Sequence, residues 1–127
     1  MTPKDYDDKA SRALMSAKLL LANGDIEGAC NRAYYAMFDA AHGALLRSGT
    51  LINPAEIRTH SGLIGAFGKH LVKPGLVATE LGRALNQVEH IRLLADYTGE
   101  AIDTDKAAWA IDQAEAFLKS LASAIRQ

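Results

Sequence analysis

Between residues 26 and 44 the chain places Ile26, Ala29, Ala33, Ala36, Ala40 and Ala44 three or four residues apart. That spacing lines one face of an α-helix with side chains small enough for another helix to approach closely. Such a face is useful only where helices pack on helices. No other segment offsets it with the period-two alternation of a half-buried strand, so the chain reads as an all-α bundle.

The helix limits follow from punctuation. Thr2-Pro3-Lys4-Asp5 joins a capping residue, a proline suited to the first helical position and an acid three places after the cap. Helix 1 is expected from about Pro3 to Ala22, with Ala10, Ala13, Leu14, Ala17, Leu20 and Leu21 inward, stopping at Asn23-Gly24. Asp25 caps helix 2, which runs to about Arg47 and stops at Gly49. Asn53-Pro54-Ala55-Glu56 repeats the cap signature and opens helix 3. Gly62, Gly65 and Gly68 each weaken that helix by roughly 1 kcal/mol relative to alanine. Lys73-Pro74-Gly75 is a turn, and helix 4 continues from it to Thr98-Gly99. Asp103 or Thr104 caps helix 5, whose stripe is Ala107, Ile111, Ala114, Leu118, Leu121 and Ile125.

At 127 residues the chain suffices for one core, so 1–127 reads as a single domain. Fourteen basic against fifteen acidic residues give −1 at pH 7, which leaves no broad positive field to gather nucleic acid. Any polyanion contact must be local. The single cysteine, Cys30, has no internal partner and sits toward the apolar side of helix 2, which suits an inert thiol in a reducing cytoplasm. "MTPKDYDDKASR" has no apolar signal core, and the apolar run Leu19 to Ala22 is too short to span a bilayer, so no membrane association is expected.

Helix 4 carries an anomaly. Its apolar stripe runs through Leu81, Leu85 and Val88, and the next positions on that face are Arg92 and Asp96. Two readings are open. A paired, buried Arg92–Asp96 fixes helix register; alternatively the stripe leaves the core near Val88 and offers a guanidinium to a phosphate in a cleft or subunit interface.

Helix 2 poses a second choice. Opposite its alanines lie Asn31, Tyr35, Phe38, Asp39 and His42, with Arg32 at the margin. Aromatics beside polar groups suit an interface or cleft, while Tyr34, Tyr35 and Phe38 suit the core around the alanines equally well. His42, three residues after Asp39, reads as an ordinary helix pair rather than a dyad. His42, His60, His70 and His90 have no metal-ligand spacing, and the glycines of helix 3 follow no strand, so neither metal nor cofactor is expected.

"ASRALMSAKLLLANGDIEGACNRAYYAMFDAAHGALL", "RTHSGLIGAFGKHLV", "LNQVEHIRLLADYTG" and "AEAFLKSLASAI" together resemble the short prokaryotic HEPN-domain proteins, over nearly the whole chain and in order. The most specific parts are "NRAYYAMFDAAHGALL" and the R-x-x-x-D-Y element formed by Arg92, Asp96 and Tyr97. The resemblance implies an antiparallel up-and-down bundle that forms a homodimer and is encoded beside a minimal nucleotidyltransferase in a toxin–antitoxin or defence module. Active members are metal-independent ribonucleases whose motif is an arginine, then four to six intervening residues, then a histidine, two copies meeting across the dimer to cut RNA. Arg92 matches the arginine, but Tyr97, Thr98 and Gly99 stand where the histidine belongs. With an unperturbed pKa near 10, Tyr97 is a poor general base at neutral pH, although it can hold or polarise a phosphate. It also offers a hydroxyl to a nucleotidylating partner. His60, in "RTHSG", matches a position of this branch and either reaches the site from helix 3 or only starts that helix.

Two functions are therefore expected as alternatives. One is a ribonuclease using Arg92, Asp96 and Tyr97 at a dimer interface, with Tyr34, Tyr35, Asp39, His42 and His60 as binding residues. The other is a non-catalytic module that dimerises or docks a partner protein or a nucleotide.

Overall fold

The Thr2 side chain accepts from the Asp5 backbone N–H, and the Asp5 carboxylate accepts from the Thr2 N–H at 2.7 Å. This closes a capping box and starts α1 (Pro3–Ala22) where the chain pattern places it. The computed structural model describes residues 1–97 and 102–125. Four more α-helices follow: α2 (Ile26–Arg47), α3 (His60–Phe67), α4 (Thr79–Tyr97) and α5 (Thr104–Ala124). Asp25 and Asp103 cap α2 and α5 through their side chains. Among the described residues there is no strand, and no helix is long and apolar enough to cross a membrane.

The helices run up and down. Gly24, at φ 84°, turns the chain between α1 and α2, a left-handed conformation that glycine adopts without steric cost. The two helices return antiparallel, so that Asp7 near the start of α1 meets Arg47 in the last turn of α2 at 2.7 Å. Ala10, Ala13 and Ala17 of α1 share one buried cluster with the alanine face of α2. Lys18 ties α1 to Glu115 of α5 at 2.8 Å. Larger side chains fill the remaining core: Tyr34, Met37, Phe67, Leu85 and Phe117 are almost fully buried, with the two phenylalanine rings 5.5 Å apart. Cys30 is buried in a smaller cluster with Ala95, Ile102 and Ala107, and this burial pushes its thiol up to about 11, consistent with an inert core residue.

The third helix departs from expectation. Asn53 caps only a 3-10 turn, Pro54–Ile57, and a second cap, Thr59, starts α3 by accepting from Gly62 N–H at 2.9 Å. A π turn, Gly68–Val72, then closes the segment before the Pro74-Gly75 turn. The expected C-terminal stop of helix 4 at Thr98-Gly99 lies outside the described residues.

The glycines of α3 are not equivalent. A Cβ at Gly62 would run into the backbone carbonyl of Glu56, whereas one at Gly65 would meet open space. Gly62→Ala is expected to destabilise the domain by about 1–3 kcal/mol through overpacking. Gly65→Ala is expected to stabilise it by about 0.5–1 kcal/mol through helix propensity alone. Urea denaturation of both variants checks the sign: stabilisation by Gly62→Ala would contradict the close packing of α3 on the 3-10 turn.

Candidate functional site

Arg92 is buried, with 7% of its surface exposed, although its stripe would accept a leucine. The local reason is π stacking. Its guanidinium carbon lies 4.7 Å from the centre of the Tyr34 ring and 5.8 Å from that of Tyr35, both carried by α2, which runs antiparallel to α4. Nη1 donates to Asp96 Oδ2 at 3.2 Å, one turn along α4. Among the described residues that contact is single rather than bidentate, and Nε is buried with no hydrogen-bond partner. An ion pair made through one nitrogen leaves a buried donor demanding an acceptor.

Asp96 stands at the opening. Its side chain is 26% exposed, and Oδ2 also accepts a long 3.5 Å bond from Asn31. Asn31, Arg32 and Asp96 line an open groove of about 370 Å³. Arg32 donates twice to Asn31 Oδ1, at 3.2 and 3.1 Å, and lies 4.9 Å from the Tyr35 ring centre. The groove thus exposes an arginine and the carboxylate that covers a second one.

His60 completes the cluster from α3. It is the first residue of that helix, behind the Thr59 cap, and its ring packs against Tyr34 and Tyr35 of α2. Its Nδ1 is 2.7 Å from the Tyr34 hydroxyl and its Nε2 is 3.4 Å from that of Tyr35. Burial first, then the Arg92 charge, lowers the His60 pKa, while Glu89 opposes the shift; the ring is neutral at neutral pH. Burial drives the Tyr34 pKa upward, Glu89 adds to the rise and Arg92 opposes it, so that hydroxyl keeps its proton. In the tautomer in which the Tyr34 hydroxyl donates to Nδ1, Nε2 carries the ring proton and faces the long, weak contact with Tyr35. His60 is then a second hydrogen-bond donor beside Arg92.

The expected site residues separate into two groups. Tyr34, Tyr35, His60, Arg92 and Asp96 converge. Tyr97 does not join them: it is 75% exposed, with no hydrogen bond or ring contact among the described residues. Asp39 and His42 face elsewhere on α2. Asp39 lies 4.0 Å from Lys9 Nζ, and His42 stacks on Tyr6 with ring centres 4.0 Å apart, so the two form no dyad. Tyr34 is fully buried in the core, with its ring against the Arg92 guanidinium. Among the described residues no three metal-ligating groups converge.

Comparison with known proteins shows the family to which the chain belongs. A family model described as HEPN domain matches residues 4–124. A UPF0332 protein of Gloeobacter violaceus is 37% identical over 101 residues, covering 78% of this chain and 76% of its own. A UPF0332 protein of Thermotoga maritima is 36% identical over 116 residues, covering 89% and 83%. The candidate toxin MJ0605 of Methanocaldococcus jannaschii is 32% identical over 118 residues, covering 93% and 84%.

Proposed function

From the premise that this chain belongs to the HEPN domain family, we propose that it is the toxin component of a toxin–antitoxin pair and acts on RNA at the Arg92 cluster. The observation that carries this reading is the buried Nε of Arg92, unpartnered among the described residues, beside the neutral ring of His60. Two donors of that kind bind the non-bridging oxygens of a phosphodiester, which reaches Nη1 by taking the place of Asp96 Oδ2. The kinship to a candidate toxin supports the biological role.

Chemistry then needs no metal. The ribose 2′-oxygen attacks phosphorus and releases its proton to water. The P–O5′ bond breaks, the 5′-oxygen takes a proton from water, and a 2′,3′-cyclic phosphate remains. Arg92 and His60 stabilise the charge on the phosphorane oxygens as fixed donors. Two copies meeting along α4, where Leu93 and Tyr97 are exposed one turn apart, bring two clusters to one interface. The antitoxin role falls to a minimal nucleotidyltransferase, to which Tyr97 presents a free hydroxyl.

The purified protein incubated with single-stranded RNA in excess EDTA is expected to yield 2′,3′-cyclic phosphate ends, and His60→Gln to slow that yield at least about tenfold. Cleavage that requires a divalent cation, or that His60→Gln leaves intact, would overturn the assignment. The 7% exposure of Arg92 favours one competing reading, a non-catalytic module that binds RNA or a partner without cutting. Retained RNA with no cleaved ends is its signature.

A further inference from the structure

The second polar group on α2, Asp39 with His42, lines a groove of its own. It lies between the first turns of α1, the middle of α2 and the 3-10 turn, an open groove of about 490 Å³, within the range of small-molecule sites. Phe38, Pro54 and Ile57 supply apolar wall, and Tyr6 stacked on His42, 14° from parallel, supplies a flat aromatic surface. Lys9 and Arg58 are exposed at its rim.

Asp39 is the unexplained member. It is 8% exposed and makes no hydrogen bond among the described residues: Lys9 Nζ lies 4.0 Å away, beyond hydrogen-bond reach, and the charge of Arg32 acts on it only from a distance. A carboxylate taken out of water this far normally has donors of its own. The groove therefore offers an acceptor for N–H groups, flat apolar walls, and cations at the mouth. A basic peptide satisfies the carboxylate but meets Lys9 and Arg58. A metal ion finds one carboxylate where several oxygens are needed. A nucleotide matches all three features, with the base inside and the phosphate at the rim.

We propose that this groove is a guanosine-nucleotide subsite in which the Asp39 carboxylate accepts from N1–H and the N2 amino group of guanine. Guanine is the base that presents two adjacent donors to one carboxylate, whereas adenine and cytosine set an acceptor beside their single amino group. The base stacks against the Tyr6–His42 pair and the phosphate meets Lys9 and Arg58. Burial and the Lys9 charge lower the His42 pKa, which leaves an uncharged ring for stacking. Phe38 also packs 4.8 Å from His60, so the groove adjoins the Arg92 cluster. The guanosine can be a free nucleotide or part of a strand; the strand arm rests on the RNA reading above, and the free-nucleotide arm does not.

Calorimetric titration of the full chain with GMP, AMP and IMP, and with short single-stranded RNAs carrying one G or one A, tests this directly. GMP is expected to bind at least about tenfold tighter than AMP, with IMP, which lacks the N2 amino group, between them. Asp39→Asn is expected to erase that preference. Arg58→Ala, at an exposed position that leaves the fold intact, is expected to weaken GMP and AMP alike. Preference for G in the RNA but not among free nucleotides identifies the strand as the source. Absence of guanine preference in both the free nucleotides and the RNAs, or a preference that Asp39→Asn leaves unchanged, overturns the subsite, as does tighter binding of oligoarginine than of GMP. RNA cleavage without guanine preference removes this inference alone; guanine preference without cleavage removes the ribonuclease reading alone.

Discussion

Tyr34→Ala is expected to cost about 3–5 kcal/mol of folding stability. A small domain has only about 5–15 kcal/mol in hand, so the variant should unfold early in urea or precipitate on expression. The ring has no exposed surface and touches three different environments: the guanidinium of Arg92 on one side, Tyr35 and Phe38 along α2, and the imidazole of His60 across from α3. Its removal opens a cavity and leaves Arg92 without its stacking partner at once. Tyr34→Phe separates these effects. It keeps the ring, loses only the 2.7 Å bond to His60 Nδ1, and is expected to cost about 1–2 kcal/mol. Paired denaturation curves decide the matter. A Tyr34→Ala loss below that of Tyr34→Phe would mean that the hydroxyl, not the ring, holds the three helices together.

Much of the fold was legible because its signals are local. The Thr2 capping box, the Asp25 and Asp103 caps and the alanine spacing of α2 each lie within a few residues of what they specify. The break before α3 was harder to read. Asn53-Pro54 is a strong start signal, and nothing in the next four residues separates a 3-10 turn from a first α-turn. The second cap, Thr59, was present in "RTHSG" and carries the true start of α3. The site was half legible for a different reason. Arg92 betrays itself as a charge on an apolar stripe, but the Tyr34–His60 bond joins residues 26 apart in sequence through no periodic pattern. The polar face of α2 misled in a third way. A helical wheel collapses length, yet Asn31 and His42 are separated by roughly 16 Å of helix. One face in projection serves two grooves in space.

Arg92→Ala is expected to lower the rate of RNA cleavage by about 10²–10³, the usual consequence of removing one preorganised donor from a developing oxyanion. Charge alone does not restore it. Arg92→Lys keeps a cation but loses the planar contact with Tyr34, and should recover little of the rate. The informative variant is Asp96→Ala. If Asp96 only covers Arg92 in the free protein, its removal relieves a competitor of the phosphate, so RNA should bind more tightly and cleavage should persist. If the pair is purely structural, removing Asp96 strands a buried guanidinium and should cost about 3–5 kcal/mol, with no gain in RNA affinity. Denaturation and RNA binding measured on the same preparation separate the two, because one reading moves affinity upward and the other moves only stability downward. The half-open position of Asp96, and the free Nε behind it, favour the first outcome.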